Sequence, residues 1–155
     1  MKVLVVVTDY PNLQGGLALA YVRTRNVYYK ERGMEVEVLN FSANEDYSID
    51  GIHVFCLKNF DKIINENKYD LLICHAPNIR NHYFFIEKYD CYFKKIILFF
   101  HGHEVLKVNK VYSVPYPFVK RNKLLENVRD LYDECKFFVW RRYIEKNYKK
   151  LAFVF

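Results

Sequence analysis

The sequence contains few loop-forming residues and no long apolar segment. Its 155 residues include only five Gly and four Pro, which argues against a loop-rich or low-complexity chain. The apolar runs at Val3–Val7 and Ile96–Phe100 are five residues long, whereas a membrane-spanning helix needs about 20. Asp9 interrupts the first run before the apolar region of a secretory signal peptide can form. We therefore expect a soluble, cytoplasmic protein.

Cysteine is also scarce, and its spacing excludes the usual zinc-binding patterns. The four cysteines are separated by 17, 16 and 43 residues, so the chain has no CxxC pair. We expect them to be reduced thiols in the core or half-buried. They are Cys56, Cys74, Cys91 and Cys135.

The charge is unevenly distributed along the chain. Residues 1–77 contain eight Lys and Arg against ten Asp and Glu, whereas residues 78–155 contain sixteen against eight. The excess of +8 in the second half indicates an anionic partner, such as a membrane surface, a phosphate-bearing ligand or nucleic acid. An AT-rich genome gives a similar lysine-rich composition, which is the simpler interpretation.

Apolar runs and helical patterns alternate along the whole chain. The strands are predicted at 2–8, 35–40, 52–57, 70–75, 95–100 and 151–155, and the helices at 17–32, 59–67, 81–89 and 123–149. This alternation predicts a single α/β domain, with a Rossmann-like parallel sheet and helices on both faces. Residues 105–122 are predicted to be irregular.

The polar residues cluster after three of the predicted strands. They lie at Thr8–Gly16, His75–Asn78 and His101–Glu104. In parallel α/β sheets, ligands bind at the carboxyl ends of the strands. We therefore expect the functional site at this edge, which holds Tyr10, His75 and Glu104.

The first of these segments ends in Gly15-Gly16, just before the predicted first helix. Free N–H groups at a helix start favour a phosphate, although a plain tight turn explains the same pair. The segment is neither a GxGxxG nor a GxxxxGK[ST] motif. Arg23, Arg25 and Arg32 in the following helix are interpreted as surface charges.

The last of these segments is His101-Gly102-His103-Glu104. A neutral imidazole at the end of a strand can hydrogen-bond a sugar hydroxyl or act as an acid–base group. An exposed turn with incidental histidines is the alternative. The spacing of His75, His101, His103 and Glu104 matches no zinc pattern, so no metal is expected.

A basic and aromatic segment follows, at Val105–Lys123. Aromatic side chains interleaved with Lys and Arg suit an anionic membrane surface or an acceptor groove, and the same composition can bind nucleic acid. A solvated surface is the simpler alternative. The candidate membrane or acceptor residues are Tyr112, Tyr116, Phe118, Lys120 and Arg121.

Taken in order, these motifs resemble the N-terminal domain of a family 4 glycosyltransferase of the GT-B fold. The Pro11 loop with Gly15-Gly16 and a helix ending at Gly33 is similar to the family's opening. Asp70–His75 (DLLICH) is similar to its Asp-Val-Val-His-Ala-His strand, with Ile73 in place of the first His. The turn at His101–Glu104 is similar to the family's His-Gly-x-Glu/Asp turn.

The resemblance implies an enzyme that moves a sugar from a nucleotide-sugar to an acceptor, with retention of configuration and without a metal or other cofactor. It implies that His101 contacts the transferred sugar or the acceptor and that Gly15 and Gly16 contact the donor diphosphate. His75, Glu104 and Tyr10 would then line the acceptor groove. The acceptor would be a cell-envelope glycan or a lipid-linked glycan. The donor contacts in the family's E-x7-E motif belong to a second, C-terminal Rossmann domain.

The abrupt end in Leu151–Phe155 leads us to expect a fragment of a two-domain protein that has little activity by itself. Under this interpretation, the basic segment holds the enzyme at the inner face of an anionic plasma membrane, and no nucleic acid is expected. The main alternative is a stand-alone, non-catalytic module that uses its basic face on nucleic acid or a protein partner. Another nucleotide-binding enzyme of doubly wound fold is disfavoured because GxGxxG is missing.

Overall fold

One seven-stranded sheet runs through the protein. The computed structural model describes residues 1–12, 16, 18–111 and 122–154. The strands are β1 (Lys2–Val7), β2 (Glu35–Asn40), β3 (Tyr47–Ile49), β4 (Ile52–Cys56), β5 (Tyr69–His75), β6 (Phe93–Phe99) and β7 (Leu151–Val154). The helices are α1 (Ala20–Glu31), α2 (Leu57–Ile63), α3 (Phe84–Tyr89), α4 (Val108–Val111) and α5 (Lys123–Asn147), with a π-helix at Ile79–Tyr83 and 3₁₀ turns at Ile64–Glu66 and Asp90–Tyr92.

The strand order confirms the predicted fold class. The sheet runs β3-β4-β2-β1-β5-β6-β7, and every neighbouring pair is parallel except β3 and β4. Without β3, the parallel strands lie in the order third, second, first, fourth, fifth, sixth, which is that of a Rossmann-like sheet. The order reverses between β1 and β5, and ligands bind beside such a switch point.

Helices cover both faces of this sheet, and β1 is apolar at every position after Lys2. Leu4 and Val6 point into one core cluster, and Val3, Val5 and Val7 point into the other. All five side chains have no exposed surface. Helices α2, α3 and α5 pack on the first cluster and α1 on the second. A strand buried on both faces is expected to be a continuous apolar run.

The sequence analysis missed the edge strand β3. This strand forms an antiparallel hairpin with β4, and Ile49 pairs with Ile52 across a two-residue loop. The loop residues Asp50 and Gly51 have φ values of 56° and 65°. An Asp-Gly dipeptide is a strong signal for this type of hairpin, because both positions need a left-handed backbone. The signal was therefore present in the sequence.

Several predicted helix boundaries were wrong by a few residues. Helix α1 begins at Ala20, after Leu19 in a left-handed conformation, and not at residue 17. The helix predicted at 81–89 is a π-helix followed by the short α3. The irregular stretch contains α4. Gly33 follows α1 with φ of 78° and ends it, as expected.

Helix α5 presents its regular apolar stripe to solvent. Its repeating apolar positions Leu124, Val128, Leu131 and Phe138 are all more than half exposed. The side packed on the sheet instead contains a buried Asp–Lys pair and the aromatic residues Trp140 and Tyr143. A regular apolar spacing therefore did not identify the core face of this helix.

Two of the cysteines are buried, and the other two are not. Cys56 and Cys74 lie in the core, whereas Cys91 and Cys135 are exposed, and all four are free thiols. The expectation of buried or half-buried thiols was therefore wrong for the second pair. In the described part of the chain, no helix has the length and apolar character needed to cross a membrane.

Candidate functional site

Two histidines meet at the carboxyl edge of the sheet, at the ends of β5 and β6. His75 is the last residue of β5, and His101 lies two residues beyond the end of β6. Nδ1 of His75 and Nε2 of His101 are 3.3 Å apart. The two rings stack with their centroids 5.6 Å apart, and the Phe99 ring stacks on both. The structure thus brings together two residues that the sequence analysis selected.

Helix α1 contributes two further side chains to this cluster. The hydroxyl of Tyr21 is 3.0 Å from Nε2 of His101, and the guanidinium of Arg25 lies 4.3 Å from the centre of the Phe99 ring. Tyr21 and Arg25 are four residues apart and therefore share one face of the helix. Neither residue was predicted to belong to the site, and the prediction of Arg25 as a surface charge was wrong.

Both histidines are neutral at neutral pH. Burial lowers the pKa of His75 to about 3, with His101 and Arg25 acting in the same direction. Burial also lowers the pKa of His101. The Glu104 carboxylate acts in the opposite direction, and the Arg25 guanidinium acts in the same direction as burial. A neutral imidazole carries one donor and one acceptor nitrogen. Each ring can therefore accept or donate a hydrogen bond, depending on its tautomer.

His101 keeps one ring nitrogen available to a ligand. Its Nε2 faces both Tyr21 and His75, whereas its Nδ1 has no hydrogen-bond partner among the described residues. The side chain is exposed, unlike that of His75, which has no exposed surface. His101 can therefore contact a substrate directly, whereas His75 contacts His101 from the buried side.

The turn that carries His101 is held in place from two sides. Gly102 has a φ of 112°, a conformation that disfavours any residue with a Cβ. The backbone N–H of His101 donates to Oε2 of Glu104 at 2.9 Å. Glu104, predicted as a groove residue, thus stabilises its own turn.

Lys136 of α5 fixes the other side of this turn. Its ammonium group donates to the carbonyl oxygens of His103 and Leu106, at 2.8 and 3.2 Å. It also pairs with Asp133 at 2.7 Å, and both side chains are almost fully buried. A buried charge is stable only when it is paired and hydrogen-bonded. The sequence analysis missed this clamp, although Asp and Lys three residues apart in a helix were a visible signal.

A further histidine, His82, lies at the switch point between β1 and β5, near a hydrogen bond between Asn78 and Thr8. Nδ2 of Asn78 donates to Oγ1 of Thr8 at 2.9 Å, and Nε2 of His82 lies 3.3 Å from the carbonyl oxygen of Val6. Burial lowers the pKa of His82 to about 4. His82 is fully buried in the π-helix, so its ring positions the backbone and is not accessible to a ligand.

Two other predicted site residues lie in less favourable places. Tyr10 is only 1% exposed, and its hydroxyl accepts a hydrogen bond from buried Asn26. Tyr10 is therefore a core residue and not a groove residue. Gly16 lies four residues before α1, and its N–H donates to Oδ1 of Asn12 at 3.2 Å. The free N–H group expected there is occupied.

The remaining predicted site residues lie outside the described part of the chain. In the described part, no three His, Cys, Asp or Glu side chains converge as the ligands of a metal ion would. The residues outside are Gly15, Tyr112, Tyr116, Phe118, Lys120 and Arg121.

The chain matches no protein-family model, no curated protein and no solved structure. Functional inference therefore depends on the sequence motifs and on the geometry at the carboxyl edge of the sheet.

Proposed function

We propose that this chain is the acceptor-binding, N-terminal domain of a retaining glycosyltransferase. The enzyme would move a sugar from a nucleotide-sugar to a cell-envelope glycan or a lipid-linked acceptor, with His101 at the reacting sugar. The observation that carries the proposal is the open Nδ1 of His101, on a neutral imidazole fixed by Tyr21 and His75. A sugar hydroxyl can pair with either tautomer of such a ring.

The position of His101 supports this role. The residue follows β6 at the carboxyl edge of a Rossmann-like sheet, where ligands of such folds bind. The stacked rings of His75 and Phe99 and the clamp from Lys136 restrict the movement of the imidazole. Restricting a group in its working geometry is a main source of catalytic rate.

In the proposed enzyme, the donor nucleotide binds mainly to a second Rossmann domain. The N–H of Gly16 donates to Asn12, so a donor phosphate reaches this N–H only when Asn12 turns away. Asn12 is exposed, and breaking an exposed hydrogen bond costs little. A role for Gly15 and Gly16 at the diphosphate therefore stays part of the proposal.

The first experiment measures sugar binding to the 155-residue chain. The imidazole nitrogen signals of His101 are followed by NMR during titration with neutral hexose oligosaccharides and with nucleotide-sugars. We expect saturable shifts at His101 that disappear in His101→Ala. His53→Ala is the matched control, because His53 lies on β4 and makes no contact with the cluster. If no sugar shifts the His101 signals, acceptor binding at this site is excluded.

The second experiment tests catalysis in the product of the complete reading frame. Sequencing past the codon for Phe155 shows whether a further domain with an E-x7-E motif follows. Release of nucleoside diphosphate is then measured with the native histidine and with His101→Ala. We expect the variant to lose about 100-fold or more in kcat, as when a group that stabilises a transition state is removed. A stop codon directly after Phe155 would contradict the enzyme proposal and favour the stand-alone module.

We also propose that the enzyme works at the cytoplasmic face of an anionic membrane. The basic segment at 105–123 leads into the start of α5, where Leu124 and Leu125 are 75% and 67% exposed. Lysines beside exposed leucines are typical of membrane-surface binding. We expect the protein to sediment with phosphatidylglycerol vesicles at low salt. The double substitution Leu124→Gln/Leu125→Gln is expected to weaken this vesicle binding. Equal binding to neutral phosphatidylcholine vesicles would reject the proposal.

A further inference from the structure

Two buried nitrogen atoms beside His101 have no hydrogen-bond partner among the described residues. They are Nη1 of Arg25 and Nε2 of His75. Buried polar groups in native proteins are almost always paired, and each exception calls for a physical explanation. An unpaired guanidinium is the more costly of the two, because it carries a full charge.

The surroundings of Arg25 differ from those of the other arginines on α1. Arg23 forms a salt bridge with Asp50, at 2.6 Å, and Arg32 lies over the exposed ring of Tyr28. Arg25 lies over two aromatic rings, those of Phe99 and Tyr21, at 4.3 and 5.8 Å from the guanidinium carbon. No carboxylate of the described part of the chain forms a salt bridge with it. The cation is thus held in position without a counter-ion.

We propose that Arg25 is an anion-binding subsite next to His101, which takes a phosphate or carboxylate group of the acceptor-side substrate. The Phe99 ring contacts both Arg25 and His101, and Tyr21 contacts both as well, so the guanidinium and the imidazole belong to one cluster of side chains. Arginine suits this task because its planar fork matches the oxygens of phosphate and carboxylate. The identity of the substrate as a glycan rests on the proposed function, whereas the anion site rests on the geometry of Arg25 alone.

The aromatic contacts favour a ligand site over a purely structural cation. A cation above an aromatic ring is attracted to one face of the ring and keeps its N–H groups free in the ring plane. The guanidinium carbon of Arg25 lies 4.3 Å from the centre of the Phe99 ring, and Nη1 is buried without a partner among the described residues. Tyr21, one turn before Arg25, places its hydroxyl on the same helical face, close to the same ligand.

The test uses three probes on the 155-residue chain, namely inorganic phosphate, glucuronate and uncharged glucose. Binding is measured by calorimetry and by the NMR shift of the Arg25 side-chain signals. We expect phosphate or glucuronate to bind, and Arg25→Gln to weaken that binding about tenfold or more, as for the loss of a charged hydrogen bond. Arg25→Lys keeps the positive charge and is expected to retain part of the anion binding. Arg32→Gln, on the same helix, is the matched control.

The arms of this experiment separate the possible outcomes. Binding of phosphate alone identifies a phosphate-bearing substrate, and binding of glucuronate alone identifies an acidic sugar. Equal anion binding by the native chain and by Arg25→Gln, or no binding by either, overturns the subsite. If anions bind at Arg25 while no neutral sugar shifts His101, the subsite stands and the glycosyltransferase proposal fails. Native-like NMR spectra of Arg25→Gln and Arg25→Lys are required, which excludes misfolding as the cause.

Discussion

The two halves of the carboxyl edge satisfy their polar groups in different ways. At the ends of β1 and β2, the carbonyl oxygen of Thr8 accepts from the Ser42 hydroxyl at 2.6 Å, and Asn40 bonds both to the N–H of Ser42 and to Tyr47. Beside β4, Asp46 accepts from the N–H of Cys56 at 2.8 Å. These short polar side chains pair with neighbouring loops and with backbone groups at the same edge, so their hydrogen bonds are satisfied inside the protein.

At the ends of β5 and β6, the same edge is left incompletely paired. Nε2 of His75 and Nη1 of Arg25 are buried without a partner among the described residues. The residue after His75, Ala76, also has a left-handed backbone, with φ of 48°. Unpaired polar groups and backbone strain concentrate at functional sites. An unpaired buried atom also occurs near the end of β1, at Oδ1 of Asn26 beside Tyr10. The second half differs in that its unpaired groups are a guanidinium and an imidazole, and we take this half as the one suited to a ligand.

The largest effect is expected from breaking the clamp that holds the His101 turn. Lys136→Met leaves Asp133 buried without its cation, and removing one partner of a buried pair destabilises a protein by about 4 kcal/mol. Urea unfolding measures this loss, and Lys146→Met on the same helix is the control. Lys136→Met/Asp133→Leu is expected to recover most of the stability. A loss below about 1 kcal/mol in the single variant would show that the clamp contributes little.

The second prediction concerns the pH dependence of stability. Burial lowers the pKa of His75 to about 3 and of His82 to about 4. The unfolded chain therefore binds protons below about pH 6.5 that the folded chain does not bind. Stability falls as the pH is lowered through this window, and between pH 6.5 and pH 4 we expect each of the two imidazoles to contribute a loss on the order of 3 kcal/mol.

This pH effect is measured by urea unfolding at each pH. His75→Gln is expected to reduce the proton uptake on unfolding by about one, and His53→Gln is the matched control. Stability that stays flat between pH 6.5 and pH 4 would mean that these imidazoles are already protonated in the folded chain.

A pair of substitutions compares the two halves of the edge directly. Asn40→Ala removes two hydrogen bonds from the paired half and is expected to lower stability by about 1.5 kcal/mol. Arg25→Gln in the unpaired half is expected to be neutral or slightly stabilising without anions, because no ion pair is lost. Thermal unfolding in a phosphate-free buffer measures both. An equal loss in the two variants would remove the distinction between the halves.

The smallest expected effect comes from the strain after His75. Ala76→Gly relieves a left-handed backbone that disfavours residues with a Cβ, and is expected to stabilise the chain by about 1 kcal/mol. The N–H of Ala76 donates to the carbonyl oxygen of Phe99 and can do so in either variant. Destabilisation by Ala76→Gly would show that the strain is negligible there.

Sequence reasoning predicted the parts of the fold that depend on local pattern. The apolar runs that form β1 and β5 predicted strands buried on both faces, and the structure confirms them. The stripe with Leu124 and Phe138 was misleading, because α5 packs through Trp140. A helix with two apolar sides can bury either of them. The elements packed against the helix decide which side is buried, and the helix's own periodicity does not reveal those elements.

The candidate site was only half predictable for a similar reason. His75 and His101 were visible because they follow strands, and the ends of parallel strands meet at one edge. Tyr21 and Arg25 carried no such signal, since a polar face on a helix is ordinarily a solvated face. Tyr10 was misassigned because a tyrosine in a loop after a strand can turn inwards when a buried partner such as Asn26 is present.

The sequence by itself determined the alternation of strands and helices, and with it a parallel sheet, because continuous apolar strands must be covered on both faces. Only the tertiary structure decided which polar groups meet at its edge. Tyr21 and His101 are 80 residues apart and come into contact because β5 lies beside β1 and β6 beside β5, within reach of α1. The open imidazole and the unpaired guanidinium are consequences of that packing, since no short segment of the chain contains both.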